Sequence, residues 1–91
     1  MASTSMNQSI LFNDDFIWDS DNLNVRFTAQ HNGAIITCLL SPSYLKAIGF
    51  NEGAAKNAVA FCELMQFDIE EDAQQAINDE RLDENNQLKL D

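Results

Sequence analysis

The sequence predicts an α+β fold, in which an antiparallel sheet of three or four strands carries two to three helices on one face. Two observations predict this class: apolar and polar residues alternate on both sides of an Asn32-Gly33 pair, and apolar residues recur at helical spacing after position 41. The 91 residues suffice for one domain. We expect a flexible N-terminus over residues 1–8 and a single domain over 9–91.

Residues 23–40 are predicted to form a hairpin at the centre of the sheet. Asn-Gly favours a two-residue type I′ turn, which fixes the register of the two strands. The predicted opposite pairs are His31–Ala34, Gln30–Ile35, Ala29–Ile36, Thr28–Thr37, Phe27–Cys38, Arg26–Leu39 and Val25–Leu40. This register puts one apolar set on a single face, ready to be covered by helices. That set is Val25, Phe27, Ala29, Ile36, Cys38 and Leu40.

Three helices are predicted after the hairpin. Ser41 supplies an N-cap and Pro42 a first helical residue for a short helix that ends near Gly49. A second helix should run from 51 or 52 to 66. A third should begin at Asp68, with Glu71 completing a capping box, and end near 81 or 82. Short strands are expected over 9–12 and 88–90.

Charge excludes several classes of partner. Fifteen acidic residues against five basic ones give a formal charge of −10. Such a chain is repelled by nucleic acids and by anionic membrane surfaces, so we expect neither as a partner. A basic protein partner stays open, although the acids also serve solubility. The sequence has neither a secretory signal pattern nor an apolar run of 18 residues, so we expect a cytoplasmic location.

The cysteines are predicted to be structural, and His31 is predicted to be an exposed residue at the end of the hairpin turn. In the predicted register His31 lies four residues along the strand from Phe27, the partner of Cys38, which is about 13 Å and beyond hydrogen-bond reach. Cys62 lies on the apolar side of the second helix. Both thiols should be buried and inert, and a disulfide between them is disfavoured in a reducing compartment.

The acidic residues suggest neither a metal site nor a catalytic pair. Asp14, Asp15, Asp19 and Asp21 cluster before the hairpin, but a calcium loop that starts at Asp19 lacks its glycine and its final glutamate. The helix dipole explains acids at the start of the third helix. We expect every acid on a polar face or in a turn, so no catalytic, cofactor-binding or metal-binding residue is predicted.

Two surfaces leave alternatives open. Phe12, Phe16 and Trp18 are expected to pack in the core, with an exposed aromatic patch as the alternative. Ile35 and Leu39 point to the second face of the sheet. If no helix covers that face, it becomes a homodimer or partner surface.

The chain resembles the YrdB-like proteins, short acidic gammaproteobacterial proteins that form a domain of unknown function, and it looks close to a Shewanella-type member. The resemblance rests on Met6-Asn7-Gln8-Ser9-Ile10, Trp18-Asp19, Val25-Arg26-Phe27-Thr28-Ala29, Asn32-Gly33, Cys38, Ser41 and Phe67-Asp68-Ile69-Glu70. The family pattern has proline where this chain has Asn13. The resemblance implies a compact α+β fold and no assigned activity.

Function is therefore predicted from exclusions. The leading hypothesis is a non-enzymatic interaction module that uses its acidic surface or the exposed face of its sheet. The alternative is a small ligand-binding protein or enzyme with an unrecognised site. A third hypothesis is mimicry of nucleic-acid charge, which requires acids at phosphate-like spacing on one face.

Overall fold

A computed structural model describes residues 10–51 and 55–91, which form five strands and three helices. In chain order these are β1 (Leu11–Phe12), β2 (Ile17–Asp19), β3 (Asn24–His31), β4 (Ala34–Leu40), α1 (Pro42–Ala47), α2 (Ala55–Leu64), α3 (Gln66–Asn78) and β5 (Gln87–Leu90). The predicted flexible start over 1–8 lies outside the described residues.

The described strands form one mixed sheet in the order β1-β3-β4-β5, with β2 also paired to β3. The expectation of a purely antiparallel sheet was wrong, because β5 pairs with β4 in the parallel direction. The connection from β4 to β5 contains all three described helices, and a crossover of this kind is what a parallel neighbour requires. The predicted number of strands, three or four, was also too low. The segment beside β3 forms two strands, β1 and β2, because residues 13–16 lie between them.

β3 and β4 pair antiparallel in the register that the sequence predicted. His31 lies opposite Ala34, Phe27 opposite Cys38, and Val25 opposite Leu40. Asn32 and Gly33 lie between the strands with φ angles of +54° and +81°, the region in which asparagine and glycine are best tolerated.

The short helix α1 matches its prediction. The Oγ atom of Ser41 accepts a hydrogen bond of 3.0 Å from the backbone N–H of Tyr44, and Pro42 is the first helical residue. α2 ends at Leu64 rather than at residue 66, and Asn51 is not helical. Residues 52–54, where that helix was expected to begin, are outside the described ranges.

Both ends of α3 differ from the prediction. The helix begins at Gln66, so Asp68 lies in its first turn and is not its N-cap. Backbone hydrogen bonds continue through Met65, which removes the need for a side-chain cap. The helix ends at Asn78 because Glu80 has a φ of +60°, and Arg81 N–H then bonds the Ala76 carbonyl in a Schellman-type closure.

The core lies between the helices and one face of the sheet. Its strand residues are the predicted apolar set together with Leu88 and Leu90 of β5, and Tyr44, Leu45, Ala58, Cys62, Ile69, Ala73, Ala76 and Ile77 join it from the helices. Phe16 is buried, with its ring centroid 5.1 Å from that of Phe27, while Phe12 and Trp18 pack against the cluster. The prediction that these aromatic residues belong to the core is confirmed. Within the described ranges, no helix combines the length and hydropathy that a membrane span requires.

Candidate functional site: the outer face of the sheet

The side of the sheet that faces away from the described helices carries several exposed side chains. Alternate strand side chains point away from the helices, and we call this surface the outer face. It consists of Leu11, Ile17, Asp19, Asn24, Arg26, Thr28, Gln30, Ile35, Thr37, Leu39, Gln87 and Lys89. The predicted second face with Ile35 and Leu39 is therefore part of it.

Strand pairing aligns the outer face in rows about 7 Å apart. The first row is Leu11, Gln30 and Ile35; the second is Thr28, Thr37 and Gln87; the third is Ile17, Arg26, Leu39 and Lys89. Three of these side chains are apolar and at least half exposed: Leu11 at 62%, Ile17 at 51% and Ile35 at 53%. The face thus combines exposed aliphatic groups with hydroxyl, amide and cationic groups.

A groove of about 460 Å³ lies across the third row and the adjoining end of the sheet. It is lined by Asp19, Asn22, Asn24, Arg26, Thr37, Leu39, Gln87 and Lys89. A smaller cavity of about 180 Å³ continues from it toward Ser41 and Pro42, and the two share Asn22, Asn24, Leu39 and Lys89. Strands β2, β3, β4 and β5 and the turn before β3 together build this groove.

Two polar residues of the groove, Asp19 and Asn24, differ in how fully their side-chain oxygens are hydrogen-bonded. Asp19 accepts hydrogen bonds from the backbone N–H groups of Asp21 and Asn22 and from the Asn22 side chain. The hydrogen bond from the Asn22 side chain is the main cause that lowers the pKa of Asp19, and the nearby Arg26 charge adds to it. The Oδ1 atom of Asn24, in contrast, is buried without a hydrogen-bond donor among the described residues.

A bulge of residues 13–16 separates β1 from β2 and is fastened to β3 by Asp15. The Asp15 carboxylate accepts hydrogen bonds of 2.7 Å from both the backbone N–H and the hydroxyl of Thr28. Partial burial opposes the charge of Asp15, but these hydrogen bonds prevail and lower its pKa. Asn13 also bonds Thr28 through its side chain and its backbone. A side chain here replaces the strand partner that the bulge removes.

The bulge also directs Asp14 toward α3. Asp14 has a φ of +57°, and its carboxyl group is hydrogen-bonded to that of Glu70. Burial, followed by the hydrogen bond and the negative charge of Asp14, raises the pKa of Glu70 to about 7, against a smaller opposing hydrogen bond from Gln66. The expectation that every acid would lie on a polar face or in a turn was wrong for the half-buried Glu70.

A second acid of α3 has an unexpected partner. The Tyr44 hydroxyl donates a hydrogen bond of 2.5 Å to Asp72, at the edge of a cavity of about 310 Å³ between α1, α3 and the chain end. Burial and this hydrogen bond both raise the pKa of Tyr44. The contact links α1 to α3. It also gives the Tyr44 hydroxyl a hydrogen-bond partner at the edge of the core, as buried tyrosine hydroxyls usually have.

The cysteines lie where the sequence predicted them. Cys38 and Cys62 are buried and free, and burial raises the pKa of each thiol to about 12. His31 stands at the end of β3, separated along the strand from the partner of Cys38. Neither thiol has the lowered pKa that a nucleophile needs.

Sequence reasoning missed Glu70 and the groove for the same reason, which is that both depend on distant segments. The local signal for Glu70 was its position beside the buried Ile69 and one turn before the buried Ala73. The groove needed the unpredicted strand β2 and the parallel placement of β5, which brings Lys89 into the row of Arg26.

Comparison with known proteins identifies a family without assigning an activity. Residues 10–90 match the family described as "Protein of unknown function (DUF1488)". The chain is 30% identical to a protein of unknown function from that family in Shewanella loihica PV-4. The alignment with the crystal structure of that protein covers 91% of this chain and 92% of the other, with a TM-score of 0.81. No curated protein matches the chain. The protein therefore belongs to the DUF1488 family.

Proposed function

We propose that this protein is a non-enzymatic interaction module that acts through the outer face, and that a second copy of the chain covers this face. The main observation behind this proposal is that Leu11, Ile17 and Ile35 are exposed on one side of the sheet. Exposed aliphatic groups on a surface with its own polar pattern are typical of a contact site.

The row pattern supports a second copy as the occupant. If a two-fold axis runs along the row of Thr28 and Thr37, the strands of the second copy run opposite to those of the first. The first row of each copy then lies over the third row of the other. Leu11 of one copy then meets Ile17 of the other, and Ile35 meets Leu39. A self-complementary patch is the requirement for an isologous dimer.

Charge favours the same arrangement. A chain with a formal charge of −10 repels another copy over most of its surface. Among the strand residues of the outer face, however, Asp19 is the one acid and Arg26 and Lys89 are cations. The two-fold arrangement sets Arg26 against the neutral Gln30, and the like charges nearest the axis are the two Asp15 carboxylates, each held by hydrogen bonds from Thr28.

The size of the face predicts a weak dimer. With strands about 4.8 Å apart and a rise of about 3.4 Å per residue, the outer face covers roughly 450 Å². Stable complexes bury about 800 Å² on each partner. We therefore expect an equilibrium that depends on protein concentration, with a dissociation constant of about 10 μM to 1 mM.

Sedimentation equilibrium from about 10 μM to 1 mM protein tests the proposal. The expected result is a rise in mean mass from monomer toward dimer, abolished by Ile35→Asp and by Ile17→Asp. Leu64→Asp is the matched control, because Leu64 is 84% exposed but lies on α2, away from the outer face. A monomer across the whole range, or equal loss in the control, would refute the proposal.

A second candidate function is favoured by Asp14 and Glu70. An acid with a pKa near 7 that is paired with a second carboxyl group is a common arrangement for acid–base catalysis. A metabolite extract incubated with the protein tests it, since a substrate should be consumed by the natural chain and spared by Glu70→Gln. Identical profiles for the two proteins would remove this candidate.

We also propose a reducing, cytoplasmic location and the narrower YrdB-like grouping. Cys38 and Cys62 are free and buried, which suits a compartment in which disulfides do not form. Cell fractionation tests the location, and recovery of the chain in an extracytoplasmic fraction would contradict it.

A further inference from the structure

The groove on the outer face has the size of a small-molecule site and a mostly polar lining. Its volume of about 460 Å³ lies within the usual range for ligand pockets. Leu39 lies at its centre, flanked in the same row by Arg26 and Lys89. Seven of the eight residues that line the groove are polar or charged, which suits a small polar ligand.

The two cationic residues of the groove, Arg26 and Lys89, are near enough to share one ligand. Arg26 and Lys89 are two strand spacings apart, or about 10 Å between Cα atoms, so their long side chains can both reach a group above Leu39. Thr37 and Gln87 pair in the neighbouring row and add a hydroxyl and an amide donor. Guanidinium, ammonium and amide donors at this spacing favour a carboxylate or phosphate group.

The negative charge of the whole chain does not cancel this local preference. Charges beyond about 8 Å are largely screened at physiological ionic strength. The acid in the groove, Asp19, directs its carboxylate to the turn that follows it, where three donors already occupy it. A second acid, Asp91, lines the adjoining cavity together with Lys89, so the two cations face the groove with their charge partly neutralised.

Asn24 can contact a second group on the same ligand, beside the group held by Arg26 and Lys89. It lines both cavities, and its Oδ1 atom is buried without a donor among the described residues, so this oxygen becomes available to a ligand when the side chain rotates toward the groove. A hydroxyl group both donates and accepts, so it can pair with the amide whichever of its two atoms is turned to the ligand.

We propose that this groove binds a small oxyanion, a carboxylate or a phosphate, that also carries a hydroxyl group. The oxyanion lies between Arg26 and Lys89, and the hydroxyl group pairs with Asn24. This inference does not depend on the proposed dimer. Because a second copy on the outer face would compete with the ligand, binding should be strongest in dilute, monomeric protein.

Titration of the isotope-labelled full chain, followed by amide chemical shifts, tests the proposal. The four probes are acetate, glycerate, inorganic phosphate and glycerol 3-phosphate, which separate carboxylate from phosphate and each plain ion from a hydroxylated one. We expect saturable shifts at Arg26, Thr37 and Lys89, with the hydroxylated member of the preferred pair bound roughly fivefold more tightly. Asn24→Leu should remove that preference and leave the plain ion unaffected.

Charge variants supply the control. Arg26→Gln and Lys89→Gln should each weaken binding roughly tenfold, whereas Lys46→Gln, which makes the same charge change on the exposed side of α1, should have no effect. Shifts that do not saturate with any probe, or equal weakening by Lys46→Gln, would overturn the oxyanion site. Equal affinity for plain and hydroxylated ions would overturn the role of Asn24. Sedimentation tests the dimer separately, so either proposal can fail alone.

Discussion

The carboxyl group of Glu70 on α3 is hydrogen-bonded to that of Asp14 in the bulge between β1 and β2, so the helix layer and the sheet edge meet through two acids. Two carboxylates in contact repel each other unless one of them holds a proton. Burial and this contact raise the pKa of Glu70 to about 7. A proton that Glu70 loses near neutral pH therefore supports the contact.

We expect this pair to make the protein less stable as the pH rises from about 4.5 to 7. Unfolded, Glu70 loses its proton near its ordinary pKa of 4.5, whereas the folded chain keeps it to about 7. The folded state thus binds more protons in this window, and its stability falls as the pH rises. Glu70→Gln keeps a donor for Asp14 without titrating. We compare the unfolding free energy of this variant with that of the natural chain at each pH. The difference should favour the variant by about 1 kcal/mol more at pH 8 than at pH 5.

Urea denaturation at the two pH values measures this difference. Glu71→Gln serves as the control, because it removes an exposed acid from the same helix turn. The interpretation of the pair fails if Glu70→Gln changes stability by the same amount at both pH values.

The Asp15 carboxylate should contribute measurably to stability. Asp15→Ala leaves the backbone N–H and the hydroxyl of Thr28 without their acceptor in the bulge. Loss of hydrogen bonds to a charged acceptor at a partly exposed site should cost about 1–2 kcal/mol in unfolding free energy. Thermal and urea denaturation measure the cost, with Glu84→Ala as a control at an exposed acid. Equal stability of the two variants would show that the bulge holds its shape without Asp15.

The parts of the fold that followed from sequence are those set by neighbouring residues. The register of β3 and β4 depends on two adjacent residues and on an alternation that can be read directly, and it correctly placed Ile35 and Leu39 on the outer face. The cap at Ser41 is local in the same way. The fastening of Asp15 to Thr28 joins residues 13 positions apart, and no local pattern indicates it.

The direction of β5 shows the same limit. Alternating residues at the chain end indicate a strand, but the direction of pairing depends on where three helices return the chain. The groove inherits this dependence, since Lys89 joins Arg26 only when β5 lies parallel beside β4. The junction of α2 and α3 was missed because its continuous backbone hydrogen bonds need no capping side chain.

Replacement of Gly33 should destabilise the protein through backbone conformation alone. A Cβ atom at Gly33 would meet nothing within 4 Å, but the residue has a φ of +81°. Gly33→Ala should therefore cost about 1 kcal/mol in unfolding free energy, whereas Gly33→Asn should cost less because asparagine tolerates this region. Urea denaturation of the two variants measures the difference. Equal losses would show that something other than the φ angle sets the cost.

The unpaired Oδ1 atom of Asn24 should lower the stability of the folded chain. A buried polar atom without a partner destabilises the folded state, whereas an apolar group of similar shape does not. Asn24→Leu should therefore raise the unfolding free energy by about 1 kcal/mol. Gln30→Leu is the matched control, because Gln30 points to the same outer face from β3 but is exposed. Differential scanning calorimetry compares the two variants. Stabilisation by Asn24→Leu alone would mean that the amide is kept for a purpose other than folding, as a ligand-binding role in the groove requires, while a loss of stability would mean that the amide supports the strand it lies on.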